Sequence, residues 1–421
     1  MSSTRSQSLL IGSADPSGPM RIALVGTRGV PAKYGGFETA VEEVGKRLAA
    51  RGHVVTVYCR RPRPRKSDEA YPLDLADVDI DQTIGNAPDR YLGMDLIHLP
   101  AMRIKSLETL SHTALASTHM AARRRQQVAV VFNAANAPFL PIFRLRGVPA
   151  ATHVDGLEWQ RAKWGGAGRR YYRTAEAFAV RWSDALIADA QGIADYYQRE
   201  FGARTDLIRY GAPVLVDPAY NLLADLGLEP GGYHLVVARF EPENHVDLAV
   251  EGYLRSAARR PLIVVGSAPY AGQYIERINA LAAADDRIRL LGPVWDQEKL
   301  DQLYAHALTY IHGHSVGGTN PSLLRAIGAA TAVSAFDVTF NREVLGADGR
   351  YFADADALAA AIDDAEVDPH ETAARGVRLQ RIASTKYRWD DVAEEYEALC
   401  RRLIAGGSQH GAVSGRRTRT T

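Results

Sequence analysis

Three loops in this sequence combine the residue types that hold anions and polyols. The longest runs His312-Gly313-His314-Ser315-Val316-Gly317-Gly318-Thr319-Asn320-Pro321-Ser322. Pro321 suits the first position of a helix, and Thr319 or Asn320 can cap it. Gly317 and Gly318 precede the cap, so free backbone N–H groups form a cradle of the kind helix N-termini offer a diphosphate. A glycine-rich turn that only caps a helix is the simpler alternative, but two histidines crowd the same loop. The second loop is Arg239-Phe240-Glu241-Pro242-Glu243-Asn244-His245. An arginine just past a strand is placed for a bidentate phosphate clamp. The alternative is a surface ion pair with Glu241 or Glu243. The third, Gly26 to Gly36, does not meet the dinucleotide pattern. It ends in Gly35-Gly36 before a helix, where backbone N–H groups can approach an anion without side-chain obstruction; a flexible loop with a glycine cap reads equally well. His153 follows a short strand, with Asp155, Glu158 and Trp159 close behind. A lone histidine is more often structural, yet aromatic and carboxylate groups together suit sugar recognition.

These loops need strands and helices to hold them. Arg21-Ile22-Ala23-Leu24-Val25 reads as a buried strand, and Phe37, Val41, Val44 and Leu48 share one face of a helix from about 37 to 50. Val54 to Tyr58 is the next strand, completing a β-loop-α-β unit. Apolar runs at Leu96–Leu99, Val128–Phe132, Pro149–Thr152 and Ala185–Ala188 continue the alternation. It restarts at His234–Ala238, a helix from about Val246, and strands at Leu262–Val265, Ile288–Leu291 and Leu308–Ile311. The expected fold is α/β with two doubly wound, Rossmann-like domains facing across a cleft. The expected bounds are a disordered leader at 1–19, a first domain at 20–213 and a second at 214–388. A helix at 389–405 either crosses back to the first domain or stays in the core of the second, and a disordered tail covers 406–421. Arg60 to Asp95, rich in Pro, Arg and Asp, reads as an exposed excursion. In open α/β sheets ligands gather at the carboxyl ends of the strands, where all three loops fall.

Bulk composition narrows the function. The 421 residues are 46% hydrophobic and 24% charged, with net charge +1. This is ordinary globular chemistry, long enough for two or three domains, and argues against a dedicated nucleic-acid binder. Cys59 and Cys400 have no metal-ligand spacing, which favours a reduced, cytoplasmic setting. No stretch has the apolar length of a membrane span.

Together the loops resemble retaining glycosyltransferases of family 4, which have the GT-B fold. Within them they are similar to a bacterial subgroup that includes rhamnosyltransferases of capsule and cell-wall polysaccharide assembly. The resemblance rests on Gly26 to Pro31 with Tyr34-Gly35-Gly36-Phe37-Glu38-Thr39, and on Lys105 to Thr109. It continues through Asp155-Gly156-Leu157-Glu158-Trp159 with Arg161-Ala162-Lys163-Trp164, Arg239 through Asn244, and His312 through Leu324. It implies a nucleotide-diphosphate-sugar donor held mainly by the second domain, with no cofactor and no metal. The donor residues it implies are Gly35, Gly36, Arg239, Asn244, His314, Gly317, Gly318, Thr319, Asn320, Ser322 and Arg325. His153 and Arg239 would stand nearest the chemistry, and Tyr34, Asp155, Glu158 and Trp159 would recognise acceptor or sugar. The acceptor would be a glycan or lipid-linked glycan at the inner membrane face. Transfer would retain configuration by front-face attack, the departing phosphate helping to deprotonate the acceptor.

The sequence also departs from that pattern. The family places two glutamates around the last loop and its helix; here Gly317 and Arg325 stand at those positions. The lysine that commonly follows the phosphate arginine is replaced by Asn244 or His245. Arg325 cannot accept hydrogen bonds from a ribose diol. Either it contacts the diphosphate or pairs with Asp337 or Glu343, or the donor is a deoxynucleotide such as dTDP-rhamnose. A non-catalytic sugar-nucleotide-binding or scaffold protein is the reading from a different class; an epimerase on the same architecture lacks matching carboxylates. Basic clusters at Arg60-Arg61 with Arg63, Arg65 and Lys66, at Arg123-Arg124-Arg125 and at Arg169-Arg170-Tyr171-Tyr172-Arg173 are solvated faces or, together, a peripheral contact with anionic lipid.

Overall fold

Short apolar runs buried on both faces become interior strands when helices cover a parallel sheet. β1 (Arg21–Val25) and β5 (Val128–Phe132) are of this kind, with four and five consecutive buried residues. The structure, a computed structural model, describes residues 18–32, 35–61, 88–102, 107–123, 125–154, 156–161, 164–267 and 272–410. The first sheet adds β2 (Val54–Arg60), β3 (Arg90–Tyr91), β4 (Met94–Leu99), β6 (Ala150–His153), β7 (Ala185–Ala188) and β8 (Asp206–Leu207), in the order β3-β4-β2-β1-β5-β6-β7-β8. The second contains β9 (His234–Val237), β10 (Leu262–Val265), β11 (Ile288–Gly292), β12 (Thr309–His312), β13 (Ala332–Phe336) and β14 (Arg350–Phe352), in the order β11-β10-β9-β12-β13-β14. Among the described residues only β3 against β4 is antiparallel.

The helices of the first half are α1 (Gly36–Ala50), α2 (Glu108–Arg123), α3 (Leu140–Leu145), α4 (Gly166–Trp182) and α5 (Gln191–Phe201). Those of the second are α6 (Val246–Arg255), α7 (Gly272–Ala282), α8 (Gln297–Ala305), α9 (Pro321–Gly328), α10 (Thr339–Leu345), α11 (Ala355–Val367), α12 (Pro369–Lys386) and α13 (Trp389–Ile404). Both sheets are doubly wound. The strand order reverses between β1 and β5 in one and between β9 and β12 in the other, and such switch points open a crevice beyond the strand ends.

The chain passes between the domains at 210–213 and again at 387–389, where Ala212 N–H donates to the Tyr387 carbonyl at 2.7 Å. A Cβ on Gly211 would lie 2.3 Å from the Trp389 ring, so this crossing needs glycine. α13 then packs on α1, with Arg47–Asp390 at 2.7 Å and Arg51–Glu397 at 3.0 Å. One apolar cluster runs from the first sheet through Tyr210 and Trp389 into the second.

Some sequence expectations shift. The excursion is narrower than Arg60 to Asp95: Arg60 ends β2, and Arg90 and Asp95 pair in the β3–β4 hairpin. The tail is placed as far as His410, because Gln409 N–H donates to the Asp184 carbonyl at 2.8 Å and its side-chain amide to the Ser183 carbonyl at 3.1 Å. Most of the leader, the centre of the excursion, and Tyr34, Lys105, Asp155 and Lys163 lie outside the described residues. Among those described, no helix is long and apolar enough to cross a membrane.

Candidate active site

β9 and β12 are neighbours at the second switch point, so the loops that follow them share one crevice. Arg239 leaves β9 half exposed, its guanidinium 3.4 Å from Glu241. Asn244 does not face outward. Its amide donates to the Arg239 carbonyl at 2.8 Å and the residue is 2% exposed, so its side chain shapes the loop that carries Arg239. His245 takes a left-handed conformation, pairs with the Gly313 carbonyl at 2.8 Å and stacks on Phe336 at 4.3 Å. Ser315 donates to the Glu243 carbonyl through both its backbone N–H (2.9 Å) and its hydroxyl (3.0 Å). The two loops are thereby stitched together. His312 is fully buried and stacks on His314 at 4.4 Å. Burial pushes the His312 pKa down to about 3. It also holds His314 well below the usual value, and His312, Arg239 and Arg161 add to the effect. Both rings are neutral at physiological pH. His314 Nδ1 is buried without a hydrogen-bond partner.

The same loop delivers the chain to α9. Asn320 is the cap, its side chain accepting from Ser322 N–H at 2.9 Å, with Pro321 in the first turn. Gly317 has φ of +132° and faces open space. Gly318 and Thr319 instead meet the other domain. A Cβ on Gly318 would lie 2.0 Å from Asp189 Oδ1, and the Thr319 hydroxyl donates to the Asp189 carbonyl at 2.8 Å. Ser322 shares hydrogen bonding with Tyr304 and Tyr310. Arg325 pairs with Asp301 of α8. That corrects the expected pairing with Asp337 or Glu343: Asp337 is held by Arg342 at 2.7 Å, and Glu343 by Arg209 at 3.2 Å and the Gln191 N–H at 2.8 Å.

The facing wall is the start of α1. Gly35 caps it with φ of +109°, and Glu38 folds back beneath it to accept from the Arg28 N–H at 3.1 Å. A Cβ on Gly36 would stand 3.2 Å from Pro321 Cγ, so the N-termini of α1 and α9 abut across the domain boundary. Each carries partial positive charge. His153, at the end of β6, is 1% exposed and ringed by Phe37 (5.8 Å), Phe132 (5.6 Å) and Tyr210 (5.8 Å). Glu158 pairs with Arg161 at 2.7 Å, and Trp159 packs on the first domain's core beneath Arg173 at 5.1 Å. Sequence reasoning gave Arg161 no role, yet it reaches Glu241 at 3.6 Å and Glu243 at 3.5 Å in the opposite domain. Burial disfavours its charge, but Glu158, Glu241 and Glu243 outweigh this and raise its pKa. Among the described residues no group of three or more His, Cys, Asp or Glu side chains is placed to hold a metal ion.

Two doubly wound domains with anion-ready helix starts at a shared cleft define the GT-B architecture, and the chain is a glycosyltransferase of this type. Residues 35–213 match the family of glycosyl transferase 4-like domains, and residues 232–366 match glycosyl transferases group 1. Among solved structures it is similar to sucrose-phosphate synthase from Thermosynechococcus elongatus, with 21% identity and TM-score 0.76 over 92% of this chain and 99% of that one. It is also similar to HepE of Anabaena in complex with UDP-glucose, with 15% identity and TM-score 0.70 over 90% and 99% of the two chains. A trehalose-6-phosphate protein from E. coli bound with UDP-2-fluoro glucose aligns at 12% identity and TM-score 0.66 over 91% and 99%. No curated protein sequence matches the chain.

Proposed function

We propose that the protein transfers a hexose or deoxyhexose from a nucleotide-diphosphate donor to a glycan or lipid-linked glycan, with retention of configuration and without a metal. The observation that carries this reading is the meeting of the α1 and α9 N-termini at Gly36 and Pro321. Arg239 lies on the loop stitched to the segment that leads into α9. A diphosphate there receives backbone N–H groups, two helix dipoles and a guanidinium, the set that stabilises a departing phosphate. His153 then stands on the first-domain side to contact the donor sugar, and a neutral His314 offers a ring nitrogen to it. With Arg325 turned to Asp301, no carboxylate replaces the family's ribose-binding glutamate at that position. This favours a donor lacking the 2′-hydroxyl, and dTDP-rhamnose is the first choice. UDP-sugars stand second, since two of the similar structures hold them.

The test is a thermal-shift panel of dTDP-, UDP- and GDP-sugars, with mass spectrometry of the products. One donor should raise the unfolding temperature and be slowly hydrolysed. A shift without turnover, even with glycan acceptors supplied, would favour a binding-only protein; no shift with any donor would overturn the reading.

A further inference from the structure

One oxygen of Glu241, Oε2, lies between two guanidiniums from opposite domains: Arg161 at 3.6 Å and Arg239 at 3.4 Å. The oxygen is buried and accepts a hydrogen bond from neither. Charge-assisted hydrogen bonds close to roughly 2.7–2.9 Å. The carboxylate is therefore held at ion-pair range in a gap wider than it fills. A phosphoryl group is larger and carries more acceptor oxygens, so it can reach both forks at once.

We infer that Arg161 and Arg239 form a two-domain clamp for the donor diphosphate, with Glu241 occupying the anion position until the donor displaces it. The inference rests on the function proposed above and names the second cation of that site. Neither Asn244 nor Arg325 supplies it: Asn244 is neutral and bonded to the Arg239 carbonyl, and Arg325 is paired with Asp301. Arg161 is well suited to the role. Its side chain is 14% exposed, Glu158 of its own loop fixes one edge at 2.7 Å, and Glu243 meets the other at 3.5 Å. His314, stacked nearby with a buried unpartnered nitrogen, is within the field of both arginines. The carboxylates around the clamp are Glu158, Glu241 and Glu243, one more than the arginines. An arriving diphosphate is accommodated only if Glu241 swings away. Because Arg161 belongs to the first domain, donor binding and cleft closure become one event.

The sign of two substitutions tests this by calorimetric titration of dTDP, UDP and GDP and their nucleosides into the full chain. Arg161→Gln should weaken the preferred nucleoside diphosphate about 10-fold or more while leaving the nucleoside unchanged. Glu241→Gln should tighten the same diphosphate by several-fold, again without effect on the nucleoside. Unchanged diphosphate affinity in Arg161→Gln would overturn the clamp. So would a Glu241→Gln variant that binds more weakly, since Glu241 would then be a closing latch and not an occupant. If Arg161→Gln fails to fold, Glu241→Gln alone decides the matter. Absence of binding by the unaltered protein would instead sink the proposed function and the clamp with it.

Discussion

Glu176 of α4 is 3% exposed and accepts a hydrogen bond from the Tyr196 hydroxyl at 2.9 Å. Burial raises its pKa to about 7, against the smaller lowering influences of Tyr196 and Arg173. The folded protein therefore holds a proton that the unfolded chain releases near pH 4.5. Stability from this group is complete below that pH and falls as pH rises to about 7, by up to roughly 3 kcal/mol. Glu176→Gln should stabilise the protein at pH 8, have little effect at pH 4.5, and flatten the loss between. Denaturant unfolding at both pH values checks it, and equal effects at the two would contradict it. Glu366, whose pKa is pulled down to about 2 by His234 and two backbone N–H groups despite burial, acts in the opposite window. Its contribution is present above pH 4.5 and is lost as pH falls toward 2. At the active site, Arg239 and Arg325 should separate. Arg239→Gln should weaken donor binding about 10-fold or more. Arg325→Gln, which loses only the Asp301 pair, should leave binding within about 2-fold and cost roughly 1 kcal/mol of stability. Titration of the donor into each variant decides between them. The strand-end position of Arg239 and a helix cap at Thr319 or Asn320 were legible because they follow local rules for strand ends and helix starts; which of the two caps α9 was not. Arg161 and Arg325 were not, because their partners lie far along the chain and only the packed domains bring them together.

At the scale of elements, periodicity located nearly all that positions the site. The strands at 128–132, 185–188 and 262–265 fall where apolar runs placed them, and α13 spans 389–404 against an expected 389–405. The contact between helix starts was not legible, since nothing local to Gly36 shows that Pro321 will stand against it. It has a direct consequence. Gly36→Val should force α1 and α9 apart and lower donor affinity while the fold persists, because the added methyl groups meet Pro321 where a single Cβ already lies at 3.2 Å. Circular dichroism with donor titration reads both outcomes; full affinity in a folded variant would deny the helix starts a role. Trp389→Ala at the second domain crossing should cost about 3–5 kcal/mol, as large-to-small changes in a core do. Denaturant unfolding measures it, and a loss below roughly 1 kcal/mol would mean the crossing is not packed as described.

At the scale of the whole molecule, exposed arginines stand on the first domain in two groups, at 123 and 125 where α2 ends and at 169, 170 and 173 in α4. Arg60, first grouped with such clusters, is not among them: it is 12% exposed and pairs with Glu108 at 3.1 Å. Each basic residue near an anionic bilayer contributes about 1 kcal/mol. Flotation with anionic vesicles should therefore show salt-sensitive binding, absent with neutral lipid and lost on charge reversal at 169, 170 and 173. Equal recovery with both lipids would contradict a peripheral membrane role.

The central claim is sugar transfer from a nucleotide-diphosphate donor held at the seam of the two domains. Its most direct test is release of nucleoside diphosphate from a panel of dTDP-, UDP- and GDP-sugars by the unaltered protein and by Arg239→Gln. The account predicts release from one donor, fastest with dTDP-rhamnose, and a fall of about 100-fold or more in the folded variant. Equal release by the two proteins, or none from any donor with acceptor present, would contradict it.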